Sequence, residues 1–205
     1  MEDFRQRLTQ HLHKTLPSGA ARCGDFDLNP DLRSQSSHGG PLVSAAVLVP
    51  LVERADEIYM LLTRRSDDLP SHAGQVSFPG GKAHEDDMDA TATALRETHE
   101  EVGIQPSLVS VIGFLDRYET RTGFSILPVV GMIDPSFSLK IDGREVAEVF
   151  EVPVSFLMNP ANHQRHSIEY EGTRRFYYAI SYKDYYIWGA TAGMLKSMYD
   201  TLYEL

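Results

Sequence analysis

The chain has 205 residues, of which 42% are hydrophobic and 23% are charged, a composition typical of a globular domain. Acidic residues outnumber basic ones by 29 to 19, giving a formal net charge of −10. Because nucleic-acid binding needs a basic surface, this balance argues against a nucleic-acid partner.

The start of the chain predicts a helical arm and a connector. Within residues 1–17, Phe4, Leu8, Leu12 and Leu16 recur at helical spacing. Residues 18–41 are rich in Gly, Ser, Pro and Asp, which is typical of a connector. We therefore predict an arm and connector over residues 1–40 and the main domain over residues 41–205.

No segment predicts export or membrane insertion. The opening helix lacks the apolar core of a signal peptide. The longest apolar run, residues 43–52, is interrupted by Ser44 and Pro50 and is too short to span a bilayer. The single cysteine, Cys23, excludes an internal disulfide, fits a reducing compartment and is expected to be buried or half-buried. We expect no membrane partner and a cytoplasmic location.

The middle of the chain predicts mainly strands. Val43–Leu51 and Glu57–Thr63 are apolar or β-branched and are separated by a polar turn at residues 53–56, which predicts a hairpin. Gln75–Phe78 predicts a short strand that ends at Pro79-Gly80-Gly81, a sequence that breaks regular structure. Three further strands are predicted over residues 108–118, 124–133 and 175–182, and a short helix or turn over residues 152–158.

Two helices are predicted in the main domain. Residues 90–101 are rich in helix formers; Asp86 and Asp87 offer N-caps, and Gly103 suits a left-handed C-terminal residue. Residues 189–203 predict a terminal helix, whose apolar stripe comprises Met194, Leu195, Met198, Leu202 and Tyr203. Strands, a helix, more strands and a helix indicate an α/β fold with a mixed β-sheet sandwiched between helices.

The central helix has an acidic edge. At about 100° per residue, Glu97 and Glu101 share a face with Glu100 beside them. The apolar stripe next to this edge comprises Thr91, Ala94, Leu95, Thr98 and Val102. Like charges at this spacing destabilise a helix, and a hard divalent cation would compensate. Arg96 lies four residues before Glu100 and can orient it. Taken alone, the string favours a solvated acidic face with an Arg96–Glu100 surface pair, because charge runs on helices are common.

The residues around this helix resemble the Nudix box. The matching positions are Gly81, Asp87, Arg96-Glu97, Glu100-Glu101 and Gly103-Ile104. Two positions depart: Asp87 replaces the usual glutamate and stands one residue further from Arg96, and Thr98 replaces a bulkier apolar residue. The resemblance implies the Nudix fold, an α/β/α sandwich. It also implies Mg²⁺ or Mn²⁺ held by Glu97 and Glu101, with Glu100 as third ligand, and a glycine at Gly81 that lets the backbone approach a metal or phosphate.

The preceding segment resembles the signature of the coenzyme A diphosphatase branch of that family. The match covers Leu61, Leu62, Thr63, Arg65, Ser66, Gly74 and Phe78 to Gly81. Pro70 stands where the signature usually has arginine, and Arg65, His72 and Lys82 are candidates to bind substrate phosphate in its place. A solvated basic pair is the alternative for Arg64 and Arg65. Residues 187–192 also resemble this branch, although Trp188 suits packing better than base stacking.

The resemblance implies hydrolysis of a nucleoside diphosphate substrate, coenzyme A first. A carboxylate removes a proton from the attacking water, either a helix glutamate such as Glu100 or Glu145 in a segment like the acidic loop of Nudix enzymes, with Glu148 second. A surface salt bridge fits either of the last two equally well. The alternatives are a Nudix enzyme for ADP-ribose, dinucleotides or nucleoside triphosphates, and a nucleotide sensor without catalysis. A homodimer is compatible with the sequence.

Overall fold

The computed structural model describes residues 2–35, 40–55, 57–170 and 172–204. The helices are α1 (Glu2–His11), α2 (Ala90–Val102), α3 (Val154–Leu157) and α4 (Gly189–Tyr203). The strands are β1 (Cys23–Gly24), β2 (Val43–Arg54), β3 (Glu57–Arg65), β4 (Val76–Ser77), β5 (Gly80–Lys82), β6 (Val109–Phe114), β7 (Tyr118–Glu119), β8 (Phe124–Ile133), β9 (Val146–Pro153), β10 (Gln164–Tyr170), β11 (Thr173–Tyr182) and β12 (Tyr185–Trp188). Short 3-10 helices cover Pro30–Gln35, Pro106–Leu108 and Pro160–Asn162.

A mixed sheet forms the centre of the molecule. Among the described residues it joins nine strands, with the order β1-β7-β8-β2-β3-β4 along its main path. β5, β6 and β9 pair with β2, β8 and β3 respectively. β2 and β8 run parallel, and β2 and β3 form the predicted hairpin. The strands β10, β11 and β12 form a separate antiparallel sheet.

Helices cover both faces of the main sheet. On β2, Ala46 and Leu48 pack with Ala94 of α2, whereas Val47 and Val49 lie in the core that contains α1 and α4. A strand buried on both faces is expected to be continuously apolar, as β2 is from Ala45 to Val52. The arrangement confirms the predicted α/β fold with a mixed sheet between helices.

The N-terminal helix shares the core of the main sheet. Phe4, Leu8 and Leu12 are buried, and the Arg7 guanidinium donates to the Leu202 carbonyl of α4 over 3.0 Å. Leu16, the last member of the predicted stripe, is 39% exposed because the helix ends at His11. No helix in the described ranges is long and apolar enough to cross a membrane.

The predicted short strand before the glycine pair ends at Ser77, but a further strand begins at Gly80, where the sequence predicted a break. Gly80 and Gly81 begin β5, which pairs antiparallel with β2. At Gly80 φ is 152°, and a Cβ there would lie 2.5 Å from the Ala46 carbonyl oxygen. The missing side chain therefore lets the backbone lie against β2 and continue the sheet.

Candidate active site

Both ends of α2 are fixed locally. The Asp89 carboxylate accepts the Ala92 N–H over 2.9 Å and caps the N-terminus, so the predicted caps Asp86 and Asp87 were wrong. Gly103 has φ of 80° and donates its N–H to the His99 carbonyl, the left-handed end that was predicted. With Ala94 and Val102 buried against the sheet, the glutamates lie at the edge beside β5.

Arg96 connects the acidic residues of this edge. Its Nε and Nη2 each donate to Asp87 over 2.9 Å, so the two groups form a bidentate ion pair. Its Nη1 donates to Glu97 over 2.8 Å and to Glu100 over 3.1 Å. The guanidinium holds the pKa of Asp87 well below its usual range. Arg96 therefore joins the loop before α2 to two of the three glutamates, including the predicted contact with Glu100.

Glu101 is the most buried of these glutamates, with 4% of its surface exposed. Its Oε2 accepts the Gly80 N–H over 3.2 Å. Burial raises the pKa of Glu101 to about 8, the nearby charges of Glu97 and Glu145 act in the same direction, and Arg65 opposes them. An ionised carboxylate in this position is costly unless a cation compensates its charge.

Glu97 lies directly against the glycine of β5. A Cβ built on Gly81 would lie 2.5 Å from Glu97 Oε2, so only glycine leaves room for this carboxylate. Burial raises the pKa of Glu97, and its contact with Arg96 opposes that rise. The backbone of β5 thus approaches Glu97 through Gly81 and Glu101 through Gly80.

Glu100 occupies the outer position of the acidic edge, and its side chain is 57% exposed. Within the ranges that the structure describes, no three His, Cys, Asp or Glu side chains are gathered closely enough to hold a metal ion as they stand. Glu97 and Glu100 do not converge on a common point because Arg96 Nη1 lies between them and donates to one oxygen of each. A cation bound here would compete with that guanidinium.

The basic residues considered for phosphate binding lie in different surroundings. Arg64 is paired with Asp67 over 3.0 Å and lies 3.7 Å from Glu148. The Arg65 side chain instead influences Glu101 electrostatically, and its buried Nε has no hydrogen-bond partner in the described part of the chain. Of the three predicted phosphate ligands, Arg65 is therefore the one that the structure brings to the glutamates.

Lys82 and His72 point elsewhere. The Lys82 carbonyl accepts from Arg96 Nη2 over 3.1 Å, but its ammonium lies 5.7 Å from the ring of Phe124 at the sheet edge. His72 is exposed and bonded to Gln75 over 3.0 Å. Neither side chain contacts the acidic edge of α2. In their present positions, therefore, neither replaces the arginine that the signature usually has at the position of Pro70.

Glu145 and Glu148 are distinguished by their contacts. Glu148 accepts the Tyr185 hydroxyl over 2.5 Å and faces Arg64, while the Tyr185 ring stacks on Phe150 with centroids 3.6 Å apart. Glu145 is exposed and close enough to Glu97 and Glu101 to raise the pKa of both. Glu148 is thus held in a structural cluster, and Glu145 faces the acidic edge.

Two contacts of this region were not predicted from the sequence. Asp87 was predicted as a cap and as the spaced acid of the Nudix box; in the structure it accepts from Arg96, Thr93 and the His84 N–H and so fixes the loop before α2. The Tyr185–Glu148 contact was not foreseen, because nothing local in the sequence links residues 37 positions apart. The distance of nine residues between Asp87 and Arg96 was the available signal for the first contact.

Comparisons with known proteins identify the family of the chain. The family model for the NUDIX domain matches residues 42–170. "Uncharacterized Nudix hydrolase NudL" from Enterobacter sp. (strain 638) is 40% identical over 154 residues, which cover 75% of this chain and 80% of that protein. The protein of the same name from Escherichia coli (strain K12) is 41% identical over the same shares. The chain therefore belongs to the Nudix family, and the predicted enzyme class, a Nudix hydrolase, is confirmed.

A solved structure resembles the chain more distantly. The MutT/nudix family protein from Enterococcus faecalis gives a TM-score of 0.49 at 17% identity, covering 80% of this chain and 62% of that one. At this TM-score the likeness carries no information about the substrate.

Proposed function

We propose that this Nudix hydrolase cleaves the diphosphate linkage of coenzyme A or its derivatives, giving 3′,5′-adenosine bisphosphate and 4′-phosphopantetheine. The choice of coenzyme A rests on the segment from Leu61 to Gly81, which resembles the signature of that branch. The observation that carries the active site is Glu101, a buried carboxylate beside Glu97 that is bonded to a backbone N–H rather than to a cationic side chain.

The donor set fits a hard divalent cation. Glu97, Glu100 and Glu101 offer carboxylate oxygens, the ligands that Mg²⁺ and Mn²⁺ prefer, and the burial of Glu101 makes its charge costly without a cation. When bound, Mg²⁺ or Mn²⁺ would neutralise charge on the diphosphate and make an attacking water more acidic. Arg96 would keep Glu97 and Glu100 at the edge of α2.

Two further groups of the chain would act on the substrate. Arg65 would bind an anionic phosphate oxygen, because its buried Nε lacks a partner and a guanidinium suits phosphate. Gly81 would bring the β5 backbone close to a phosphate held beside Glu97, because a side chain at this position would collide with the Glu97 carboxylate.

Proton removal is assigned to Glu145, which faces the acidic edge and is solvent-exposed. It would accept the proton of the water while the water oxygen forms a bond to one phosphorus. The bond from that phosphorus to the bridging oxygen breaks, and the second phosphate leaves with the bridging oxygen. A helix glutamate, Glu100 first because it is the most exposed, is the alternative base.

A substrate panel tests the proposal. The purified chain is incubated with Mg²⁺ and coenzyme A, ADP-ribose, a dinucleotide or a nucleoside triphosphate, and products are separated by liquid chromatography. We expect coenzyme A to be cleaved fastest and Glu101→Gln to lower turnover about hundredfold or more. Faster cleavage of ADP-ribose than of coenzyme A would contradict the proposed substrate but not the proposed active site.

Two other outcomes would contradict the proposed active site or the catalytic role of the chain. Full activity of Glu101→Gln would refute the role of the acidic edge. Tight nucleotide binding by calorimetry, with no product from any compound, would show a sensor instead of an enzyme.

A further inference from the structure

A second cavity lies on the face of the main sheet opposite α2. Its volume is about 580 Å³, within the range of small-molecule sites, and it lies between residues 22–32, β7, the three-stranded sheet and α4. None of the residues assigned above to metal, phosphate or proton transfer lines it, namely Arg65, Gly81, Glu97, Glu100, Glu101 and Glu145. The cavity is therefore distinct from the candidate active site.

Aromatic rings supply one wall of this cavity. Trp188 and Tyr177 both line it and meet edge to face with ring centroids 5.5 Å apart. Tyr170 is 47% exposed and lies between two guanidinium groups, Arg121 at 5.4 Å and Arg175 at 4.4 Å from its ring centroid. Flat rings next to guanidinium groups favour a ligand that is itself planar and carries negative charge.

The carboxylates that line the cavity already accept hydrogen bonds from the protein. Asp25 accepts the Tyr118 hydroxyl and the Arg121 backbone N–H, both over 2.9 Å. Asp27 accepts the Gly24 N–H over 2.8 Å, and Asp200 accepts the Lys196 ammonium. Of these three carboxylates only Asp200 is paired with a cationic side chain by these contacts, because the donors to Asp25 and Asp27 are uncharged.

Two guanidinium groups that line the cavity, Arg121 and Arg22, are candidates to bind an external anion, although the charge of Arg121 also favours the ionised form of Asp25. Within the described residues neither Arg121 nor the exposed Arg22, which also lines the cavity, donates a side-chain hydrogen bond to a carboxylate. A guanidinium in this position can donate two parallel hydrogen bonds to a phosphate.

We propose that this cavity binds a mononucleotide, with its base against Trp188 and Tyr177 and its phosphate on Arg121 and Arg22. Base–aromatic stacking tolerates any base, so the structure assigns the ligand class rather than a particular base. The proposed phosphate contacts are guanidinium groups of the protein, so binding requires no metal.

Trp188 makes the proposal directly testable, since it is the only tryptophan of the chain. Its fluorescence is titrated with adenosine 5′-monophosphate, which has no diphosphate to cleave, in the presence of EDTA. We expect a saturable change in the full chain, the same change in Glu101→Gln, and about tenfold weaker binding in Arg121→Gln. The matched control is Arg174→Gln, since Arg174 lies outside the cavity and bonds to Ser167.

Three results would overturn the proposal. The first is no change in fluorescence, and the second is binding that requires Mg²⁺ or is lost in Glu101→Gln. The third is a loss of affinity in Arg174→Gln as large as that in Arg121→Gln. Equal affinity for adenosine without phosphate would refute the anion contact. If circular dichroism shows that Arg121→Gln is unfolded, Arg22→Gln takes its place, because an exposed side chain can be changed without disturbing the fold.

Discussion

Three glutamates of one helix turn lie in different surroundings although they carry the same formal charge. Glu101 is buried, Glu97 is largely buried and Glu100 is mostly exposed. Burial raises the pKa of Glu101 and of Glu97 because it penalises the charged form. The need for a compensating cation is therefore greatest at the inner end of the acidic edge, next to β5.

Gly81→Ala tests the approach of β5 to Glu97. The added methyl would lie 2.5 Å from the Glu97 carboxylate, which is the end of a side chain and can rotate away. We expect turnover to fall about hundredfold through misplacement of Glu97, while stability changes by less than about 1 kcal/mol. Kinetics and urea denaturation measure the two effects. Gly40→Ala, with open space at its Cβ, is the control; unchanged turnover in Gly81→Ala would contradict the account.

The paired variants Glu145→Gln and Glu148→Gln test the assignment of the base. Glu145 faces the acidic edge, whereas Glu148 is held by Tyr185. We expect kcat to fall about hundredfold in Glu145→Gln and only slightly in Glu148→Gln, with KM little changed in the first. A larger fall in kcat in Glu148→Gln than in Glu145→Gln would assign proton removal to Glu148.

At the scale of secondary structure, helix α2 was largely predictable from the sequence. Its helix formers, its apolar stripe and Gly103 are local signals. The structure confirms the helix and Gly103; of the stripe, Ala94, Thr98 and Val102 are buried, whereas Thr91 and Leu95 are only half-buried. The N-cap was misplaced by two residues because Asp86, Asp87 and Asp89 offer the same chemistry. Only the packing of Asp87 on Arg96 decides which of them caps the helix.

Gly103→Ala tests how α2 ends. Gly103 has φ of 80°, and a Cβ there would lie 2.6 Å from Lys140 Cβ. We expect the free energy of unfolding to fall by about 1–2 kcal/mol or more, since a side chain is strained in this conformation and crowded as well. Gly143→Ala, which meets nothing within 4 Å, is expected to stay within about 0.5 kcal/mol. Equal urea midpoints for the two variants would contradict this view.

Several strands could not be predicted because their pairing is not local. β5 is only three residues long and is stabilised by its antiparallel pairing with β2. β10 and β12 are polar or aromatic segments that pair on either side of β11. Such strands carry no periodicity that separates them from loops, so their existence depends on long-range contacts.

At the scale of the whole molecule, the N-terminal helix is part of the core. Leu8 is 3% exposed and lies in the same cluster as Val49 and Leu195. The arm and the main sheet are therefore expected to unfold together.

Leu8→Ala tests this coupling. Removing a buried leucine side chain is expected to lower the free energy of unfolding by about 2–5 kcal/mol in a single transition. Leu16→Ala, at an exposed leucine of the same segment, is expected to change it by less than about 0.5 kcal/mol. A separate early transition in Leu8→Ala, with the main transition unchanged, would show that the arm folds apart from the domain.

The residues of the candidate site could be named from the sequence, but of their contacts only the pair between Arg96 and Glu100 was predicted. The glutamates, Arg96 and Gly81 could be named because their spacing along one helix and one loop matches a family pattern. The exposures that separate Glu97, Glu100 and Glu101, and the contacts that separate Glu145 from Glu148, arise from the packing of β5, β9 and β12. Lys82 was predicted as a candidate phosphate ligand, yet its side chain extends toward Phe124, which the sequence gives no reason to expect.

Metal binding by the acidic edge of α2 is measured by electron paramagnetic resonance of Mn²⁺ without substrate. We predict that the full chain binds Mn²⁺ and that Glu101→Gln weakens this binding at least about tenfold. Glu169→Gln, on the exposed strand β10, is predicted to bind as the unchanged chain does. Equal Mn²⁺ affinity of the unchanged chain, Glu101→Gln and Glu97→Gln would contradict the account.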